Sequence, residues 1–578
     1  MSQVREVWGE ATAFLERFRR AGWFDLLLLL GFVGAVFGFL SLAGEWRELR
    51  PAVRIDLSPS ALPVYVFYSL SRGLIAYLLS LLFTLTYGYW AAKDAVAERV
   101  LLPLLDILQS IPVLGFMPSV VLALVSIFPR SNVGLELASI LMIFSGQAWN
   151  MTFSFYHSLR SIPKDQTEAA TTYRFDWWQR LKWVELPFAT IGLVWNSMMS
   201  MAGGWFFLMI TESFVLGNKD FRLPGIGSYM SVAVAKGDIP AMLWAILAMV
   251  LMIVVLDQLL WRPVVVWAQK FRVEEGAEEQ IASSWFYDWL RRSNLVEWVT
   301  RIATRLGQRA EHGHQHKIAD KSGSPSSARW SGALSFLLFL LLMGALLLGA
   351  WRLFDLLRQL EPREWLPILR ACGWTLARVL LSTALGTLWA VPAGLAIGLS
   401  TRLARIFQPV VQIAASFPAP MLFPLVIALL NGAGVSLGWG SVVLMLLGTQ
   451  WYILFNVIAG ATAIPSDLRE AARSYHMDMR LRFVRLYLPA VFPYLVTGWV
   501  TAAGGAWNAS IVAEYVTFKG QILTTNGLGA QISRAAERAD FPHLAASVLV
   551  MAAVVVLFNR TIWRWCYQLA EQRFSLSK

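Results

Sequence analysis

IPKDQTEAATTYRFDWWQRLKWVELP, Ile162 to Pro187, and IPSDLREAARSYHMDMRLRFVRLYLP, Ile464 to Pro489, are one stretch written twice. Glu168-Ala169-Ala170 precedes Glu470-Ala471-Ala472 by 302 residues, and Pro163/Pro465, Asp165/Asp467, Tyr173/Tyr475, Asp176/Asp478 and Leu186-Pro187/Leu488-Pro489 keep that offset. Each copy is polar and lies between strongly apolar runs, as a loop between membrane spans with its own structure would. The local signals read helix, turn, helix. Proline at the first helical position gives up an N–H that would be unpaired anyway. Asp165 and Asp467 follow, where a carboxylate meets the positive end of the helix dipole. The Ala-Ala pair gives a thin helix of high propensity. Asp176 caps a second helix, with Gln179 three residues on to complete a capping box, and Asp478 caps the other copy. Leu-Pro then marks re-entry into the membrane.

The 578 residues are 57% hydrophobic, with mean hydropathy +0.54 and 27 Trp, which places the chain among polytopic membrane proteins. A net charge of +12 would point to nucleic acid in a soluble chain; in a membrane chain it reflects Lys and Arg in cytoplasmic loops, and no nucleic-acid partner is expected. Cys372 and Cys566 fall near opposite faces, so neither a disulfide framework nor a CxxC metal site is expected. At roughly 20 residues per span, the apolar runs predict about twelve helices crossing the bilayer. They lie near 24–43, 65–91, 100–127, 134–154, 188–214 and 241–266, then 332–354, 374–399, 409–430, 437–460, 490–515 and 543–567. The first follows Arg17, Arg19 and Arg20, and is too long for the core of a cleaved signal.

The correspondence between halves extends beyond the loop. Pro103/Pro409, Pro112/Pro418, Pro118/Pro424 and Arg72/Arg378 share an offset of 306; after a deletion, 302 holds for Trp149/Trp451, Trp205/Trp507, Glu212/Glu514 and Gly225/Gly527. The expected fold is therefore all-α, two parallel six-helix repeats, with both loops on one side. Lys and Arg placement puts that side, and both termini, in the cytoplasm. The divisions are 1–270 for the first repeat, 271–329 for a cytoplasmic linker and 330–578 for the second repeat. Within the linker, residues 284–309 have the spacing of a helix lying on the membrane surface. His312, His314 and His316 read as solvated residues rather than a metal site.

The loop resembles the EAA loop of ABC-importer permeases: E-A-A, three residues, Gly, nine residues, then Ile-x-Leu-Pro. Val184-x-Leu186-Pro187 and Leu486-x-Leu488-Pro489 fit its end, whereas its glycine is Arg174 in one copy and His476 in the other. Ala513-Glu514-Tyr515, Gly527-Leu528-Gly529 and Asp540-Phe541-Pro542 look like the nitrate/sulfonate/taurine class, here with a normally dimeric permease fused into one chain. The resemblance implies a type I importer fold and a small solute, an anion such as nitrate, a sulfonate or bicarbonate, delivered by an external binding protein. The chain has no G-x-x-x-x-G-K-[ST] and so no phosphate-cradling loop of its own; a transport subunit without a cofactor or enzymatic activity of its own is expected. ATP and Mg would be bound by two partner ATPase subunits, docking on Glu168, Ala169, Ala170, Asp176 and Pro187, and on Glu470, Ala471, Ala472, Asp478 and Pro489. Two other readings stand beside this one: a major-facilitator-like secondary transporter, also six plus six spans, and a non-transporting membrane scaffold. The first would leave the paired loops unexplained.

Arg72, Glu212, Arg378 and Glu514 are charges in or beside apolar runs, where a charge is costly unless paired or hydrated. Counting 1.5 Å per residue from the loop-side ends of their spans places Arg72 and Glu212 at similar depth. Two readings are open: Arg72–Glu212 and Arg378–Glu514 contacts at an outer gate, with the arginines the better ligands for an anion, or each side chain reaching separately to the membrane interface. Trp149, Trp205, Trp451 and Trp507 are expected in core packing, with the pathway wall as the second reading; Asn508, Asn150, Gln147 and Gln450 are polar groups at membrane depth and weaker pathway candidates. Gly203-Gly204 and Gly504-Gly505 are expected to let helices pack closely.

Overall fold

The computed structural model describes residues 54–110, 112–216, 219–271, 284–292, 340, 341, 344, 347–518 and 521–574, and these are almost entirely helical. The expected first span at 24–43, most of that at 332–354, and the His312–His316 tract lie outside the described residues. The chain divides into two compact units, and the larger comprises Trp46–Glu168, Trp195–Val254 and Trp351–Lys578. The described part of the smaller unit includes 169–194, 255–271 and 284–292, the last carrying a short helix, Trp285–Arg292.

The first repeat runs α1 (Leu62–Phe83), α2 (Ala95–Ser110), α3 (Val113–Ile127), α4 (Val133–Arg160), α5 (Lys164–Thr172) and α6 (Leu186–Thr211). A hairpin follows, β1 (Ser213–Leu216) and β2 (Lys219–Arg222), then α7 (Ile226–Lys236) and α8 (Ile239–Leu256). The second repeat gives α9 (Trp365–Gly398), α10 (Thr401–Ser416), α11 (Phe423–Gly432), α12 (Leu437–Thr462), α13 (Ser466–Ser474) and α14 (Leu488–Ala513). It closes with β3 (Tyr515–Phe518), β4 (Gln521–Thr524), α15 (Leu528–Glu537) and α16 (Phe541–Phe558). The hairpins are antiparallel and equivalent: Ser213 faces Arg222 in one, Tyr515 faces Thr524 in the other.

Among the described residues, seven helical runs are long and apolar enough to cross a membrane: Pro59–Lys93, Trp177–Thr211, Ile239–Phe271, Pro362–Gly398, Leu437–Thr462, Met479–Ala513 and Phe541–Arg573. The expected single spans at 100–127 and 409–430 are each two helices instead. In the second repeat α10 stops before Pro418, whose predecessor Phe417 is extended at φ −73°, ψ 128°. Proline's ring disfavours the helical conformation in the residue before it and supplies no N–H, so hydropathy alone overestimates these spans. Leu-Pro does not begin a new helix. Trp177 to Thr211 and Met479 to Ala513 are each continuous helical runs, with a π-turn at Leu181–Glu185 or Phe483–Tyr487 immediately before Leu186-Pro187 or Leu488-Pro489.

The core of the second repeat lies where α12 meets α9 and α14, around Ala390, Ile453, Val457, Ala461, Val491 and Ala502. Small residues set the spacing there: a Cβ on Gly498 would stand 3.1 Å from Ile453 Cα. In bilayers close backbone approach replaces the hydrophobic drive between helices. The Gly-Gly pairs split between two roles. A side chain at Gly204 would overlap Gln147, and one at Gly505 would meet Thr449 and Tyr452 at 3.3 Å. Gly203 and Gly504 line a cavity, and Gly505 does so as well.

Candidate functional site

Both charge pairs are present and buried. Glu212 follows α6 directly and returns its carboxylate under the start of α7, where it accepts from Gly227 N (2.7 Å), Ser69 Oγ (2.6 Å) and Arg72 Nη1 (2.8 Å). Ser69 Oγ in turn accepts from Ile226 N at 2.9 Å. The second repeat copies the arrangement. Glu514 accepts from Gly529 N (2.9 Å), Thr375 Oγ1 (2.9 Å) and Arg378 Nη1 (2.8 Å), and Thr375 Oγ1 accepts from Leu528 N (2.8 Å). Arg72 Nη1 also donates to Pro224 O, and Arg378 Nη1 to Asn526 O. Gly225 and Gly527 are required by contact rather than conformation: both backbones are extended, and a Cβ at either would overlap the glutamate carboxylate.

The clusters differ in one member that sequence reasoning missed. Arg72 makes a two-pronged contact with Glu136 on α4, Nε to Oε2 at 2.6 Å and Nη2 to Oε1 at 2.7 Å. The position 302 residues on is Gly438, so Arg378 Nε donates to its carbonyl (3.2 Å) and Nη2 to Thr525 Oγ1 (3.0 Å). One cluster thus holds two carboxylates on one guanidinium; the other holds one. Arg72 and Glu212 are 0% exposed and Glu136 1%, so these groups do not reach individually for the membrane surface.

A cavity of about 280 Å³ lies in the larger unit, walled by α2, α3, α4 and α6 of the first repeat and by the end of α10 with the segment after it, α12, α14 and α16 of the second. Of the candidate wall residues, Trp149, Trp507 and Asn508 line it, with Asn150 beside them. Trp205 and Trp451 do not. Trp205 is buried over Gly73, and Trp451 sits edge-on to Trp389 at 6.2 Å against the second repeat's core. Gln147 is buried against Gly204, and Gln450 is not on the wall. Neither Arg72 nor Arg378 lines the cavity. Three buried polar atoms on its wall have no hydrogen-bond partner: Trp149 Nε1, Ser200 Oγ and Asn508 Oδ1.

The paired loops share one backbone. In the first, Phe175 N bonds to Ala170 O (2.9 Å) and Arg174 N to Thr171 O (3.0 Å); in the second, Met477 N bonds to Ala472 O and His476 N to Arg473 O. This paired closure ends a helix through a left-handed residue, a position usually held by glycine. Arg174 takes φ 53° and His476 φ 48°, so the turn geometry is kept without the glycine. Asp176 and Gln179 form the capping box, Gln179 N to Asp176 Oδ1 at 2.7 Å and Asp176 N to Gln179 Oε1 at 3.1 Å. Asp478 caps with the single bond from Leu481 N, 3.0 Å, since Leu481 has nothing to return. Glu168, Ala169, Glu470 and Ala471 are exposed, but Ala170 and Ala472 are buried within this chain, so only one alanine of each pair is open to a partner. Tyr173, Trp177, Tyr475 and Met479 are exposed beside them. Pro187 and Pro489 lie inside the continuous helices.

Residues 84–260 and 386–575, together more than half of the chain, match the family described as binding-protein-dependent transport system inner membrane component. The nitrate import permease protein of Leptolyngbya laminosa is 28% identical over 25% of this chain and 52% of its own length. The bicarbonate transport system permease of Synechococcus elongatus is 25% identical over 33% of the chain and 66% of its own length, and the taurine transport system permease of Escherichia coli 24% over 32% and 64%. The chain spans about half the length of the nitrate permeases it matches.

Proposed function

Because the chain belongs to the binding-protein-dependent transport inner-membrane-component family, we propose that it is the permease of an ATP-driven importer, with both permease copies fused in one polypeptide. In this reading two separate ATPase subunits, which bind the ATP and Mg, dock on the loops carrying Glu168 and Glu470. An external binding protein delivers the solute at the opposite face of the inner membrane, and both termini are cytoplasmic. The relatives named for nitrate, bicarbonate and taurine motivate a small polar solute. The Arg72–Glu212 and Arg378–Glu514 clusters then fasten the hairpins to the far ends of the spans, as struts of the outer gate.

The observation that carries this reading is the twice-made loop. Each copy presents an exposed Glu and Ala on a short helix whose end is pinned by the same closure, and each feeds without a break into a membrane helix. A push on either loop would reach the span directly. The test is the double variant Glu168→Lys, Glu470→Lys. It should insert normally, lose co-purification with the ATPase and lose ATP-dependent uptake. A double variant that still binds the ATPase and imports at the normal rate would show the reading to be wrong.

A further inference from the structure

We propose that the outer gate opens on one side: the first repeat's hairpin is its fixed half, and the second repeat's hairpin, together with α15, is the half that moves. This rests on the permease reading above for the existence of a gate, and adds which half of the chain opens it.

The two hairpins cross. β1 touches α15 of the other repeat and β3 touches α7, all within the larger unit. Each hairpin thus helps to cover the short helix of the other half, and α7 is buried from Ile226 to Val234 except for a half-buried Ser231. These contacts lie beyond the cavity. Phe207 and Asn508 on its wall precede Glu212 and Glu514 by five and six residues, about 8–9 Å of helix.

What holds each hairpin in place is unequal. Arg72 on α1 grips both roots of the first hairpin, Glu212 before β1 and Pro224 O after β2, at 2.8 Å each. It is itself braced from α4, a second long helix, by the paired bonds to Glu136 at 2.6 and 2.7 Å. Arg378 on α9 grips the equivalent roots, Glu514 and Asn526 O, but reaches α12 through one bond, Nε to Gly438 O at 3.2 Å. Its Nη2 goes to Thr525 Oγ1, which belongs to the hairpin's own exit and moves with it. A two-bond ion pair outweighs one bond to a neutral carbonyl, the more so where little water competes.

The short helices repeat the contrast independently. Tyr229 on α7 is fully buried, its hydroxyl donating to Leu57 O at 2.8 Å and its ring 6.1 Å from that of Tyr65 on α1. The residue 302 positions on is Gln531 of α15, which is half-buried and donates to Pro367 O of α9 at 3.3 Å. Its own side-chain oxygen is buried without a partner. The second hairpin and α15 are tied to each other, Tyr515 hydroxyl to Glu537 and Arg534 Nη2 to Thr524 Oγ1 (2.6 Å), so they travel as one piece.

The test is hydrogen exchange of the full chain in lipid nanodiscs, without ATPase or solute. The amides of Ile226 and Gly227 are held by Ser69 and Glu212, and those of Leu528 and Gly529 by Thr375 and Glu514, so they exchange when a root opens. After correction for intrinsic rates, 525–530 should exchange about tenfold faster than 223–228, the effect of one hydrogen bond to a charged group. Gly438→Glu transplants the missing brace. A Cβ there stands 3.5 Å from Thr525 Oγ1 and 3.8 Å from Arg378 Nη2, ordinary contact distances, and the variant should slow 525–530 to near the rate of 223–228. Glu136→Gln should speed 223–228. Equal protection of the two segments in the unaltered chain, or faster exchange at 223–228, overturns the proposal, as does a folded Gly438→Glu chain whose 525–530 exchanges at the native rate. The first comparison needs no substitution, so it decides even where a variant fails to fold. ATPase binding by the loop variants is read separately: a failure there leaves the exchange contrast standing, and the two readings fail apart.

Discussion

Left-handed residues other than glycine mark the two loops, and they carry a measurable strain. A side chain at positive φ costs about 1–2 kcal/mol because Cβ crowds the following carbonyl oxygen. Arg174→Gly and His476→Gly should therefore each stabilise the native state by about 0.5–1 kcal/mol, net of glycine's greater freedom when unfolded. A higher thermal midpoint in nanodiscs is the expected reading, and an unchanged or lower one for both would contradict the strain. The buried clusters predict an inequality. Removing one partner of a buried ion pair costs about 3–5 kcal/mol. Arg72→Ala strands two carboxylates and Arg378→Ala only one, so the first should lower the folded yield and midpoint more. The same contrast shows what could be read from the chain alone. Arg72, Glu212, Arg378 and Glu514 were legible because each recurs at its repeat position. Glu136 was not, because its counterpart is Gly438; the remaining signal was a lone acid at the head of an apolar run.

Helices follow their periodic apolar runs to within a few residues, and they depart from them where proline acts. Seven of the expected spans among the described residues match long apolar helices, whereas 100–127 and 409–430 break because Pro112 and Pro418 prevent a continuous hydrogen-bond ladder. The hairpins were not anticipated. Their four-residue strands are short, and the apolar residues of Ser213–Leu216 and Tyr515–Phe518 read as the tails of the preceding spans. Capping differs between the loops in a way that can be measured. Asp176→Ala removes both bonds of the capping box and should destabilise its helix start by about 1 kcal/mol, at the usual scale for a lost cap. Asp478→Ala removes a single bond and should cost less. Amide exchange over 177–186 should accelerate more than over 479–488, and the reverse order would refute the assignment.

At the scale of the whole chain, the expectation of two parallel repeats puts both loops on one face, and that face is testable. Lys164→Cys and Ser466→Cys should react with a membrane-impermeant maleimide in inverted vesicles and be protected in intact spheroplasts. Opposite behaviour at the two positions would defeat the parallel arrangement. Parallel repetition was legible because the offsets of 302 and 306 hold over charged, aromatic and proline positions alike. Which aromatics face the cavity was not. Trp149/Trp451 and Trp205/Trp507 are repeat partners, yet one of each pair is on the wall and one is packed elsewhere. Their different fates follow from neighbours that only the fold brings together. Equivalent wall positions carry unlike side chains, Asn150/Tyr452, Met199/Thr501 and Phe206/Asn508, with a hereditary consequence. In a permease assembled from two identical chains, a single codon change reshapes both walls at once, and a useful change on one side is tied to an unwanted one on the other. Joined in one reading frame, each wall mutates alone, so selection can reshape the cavity in half-steps.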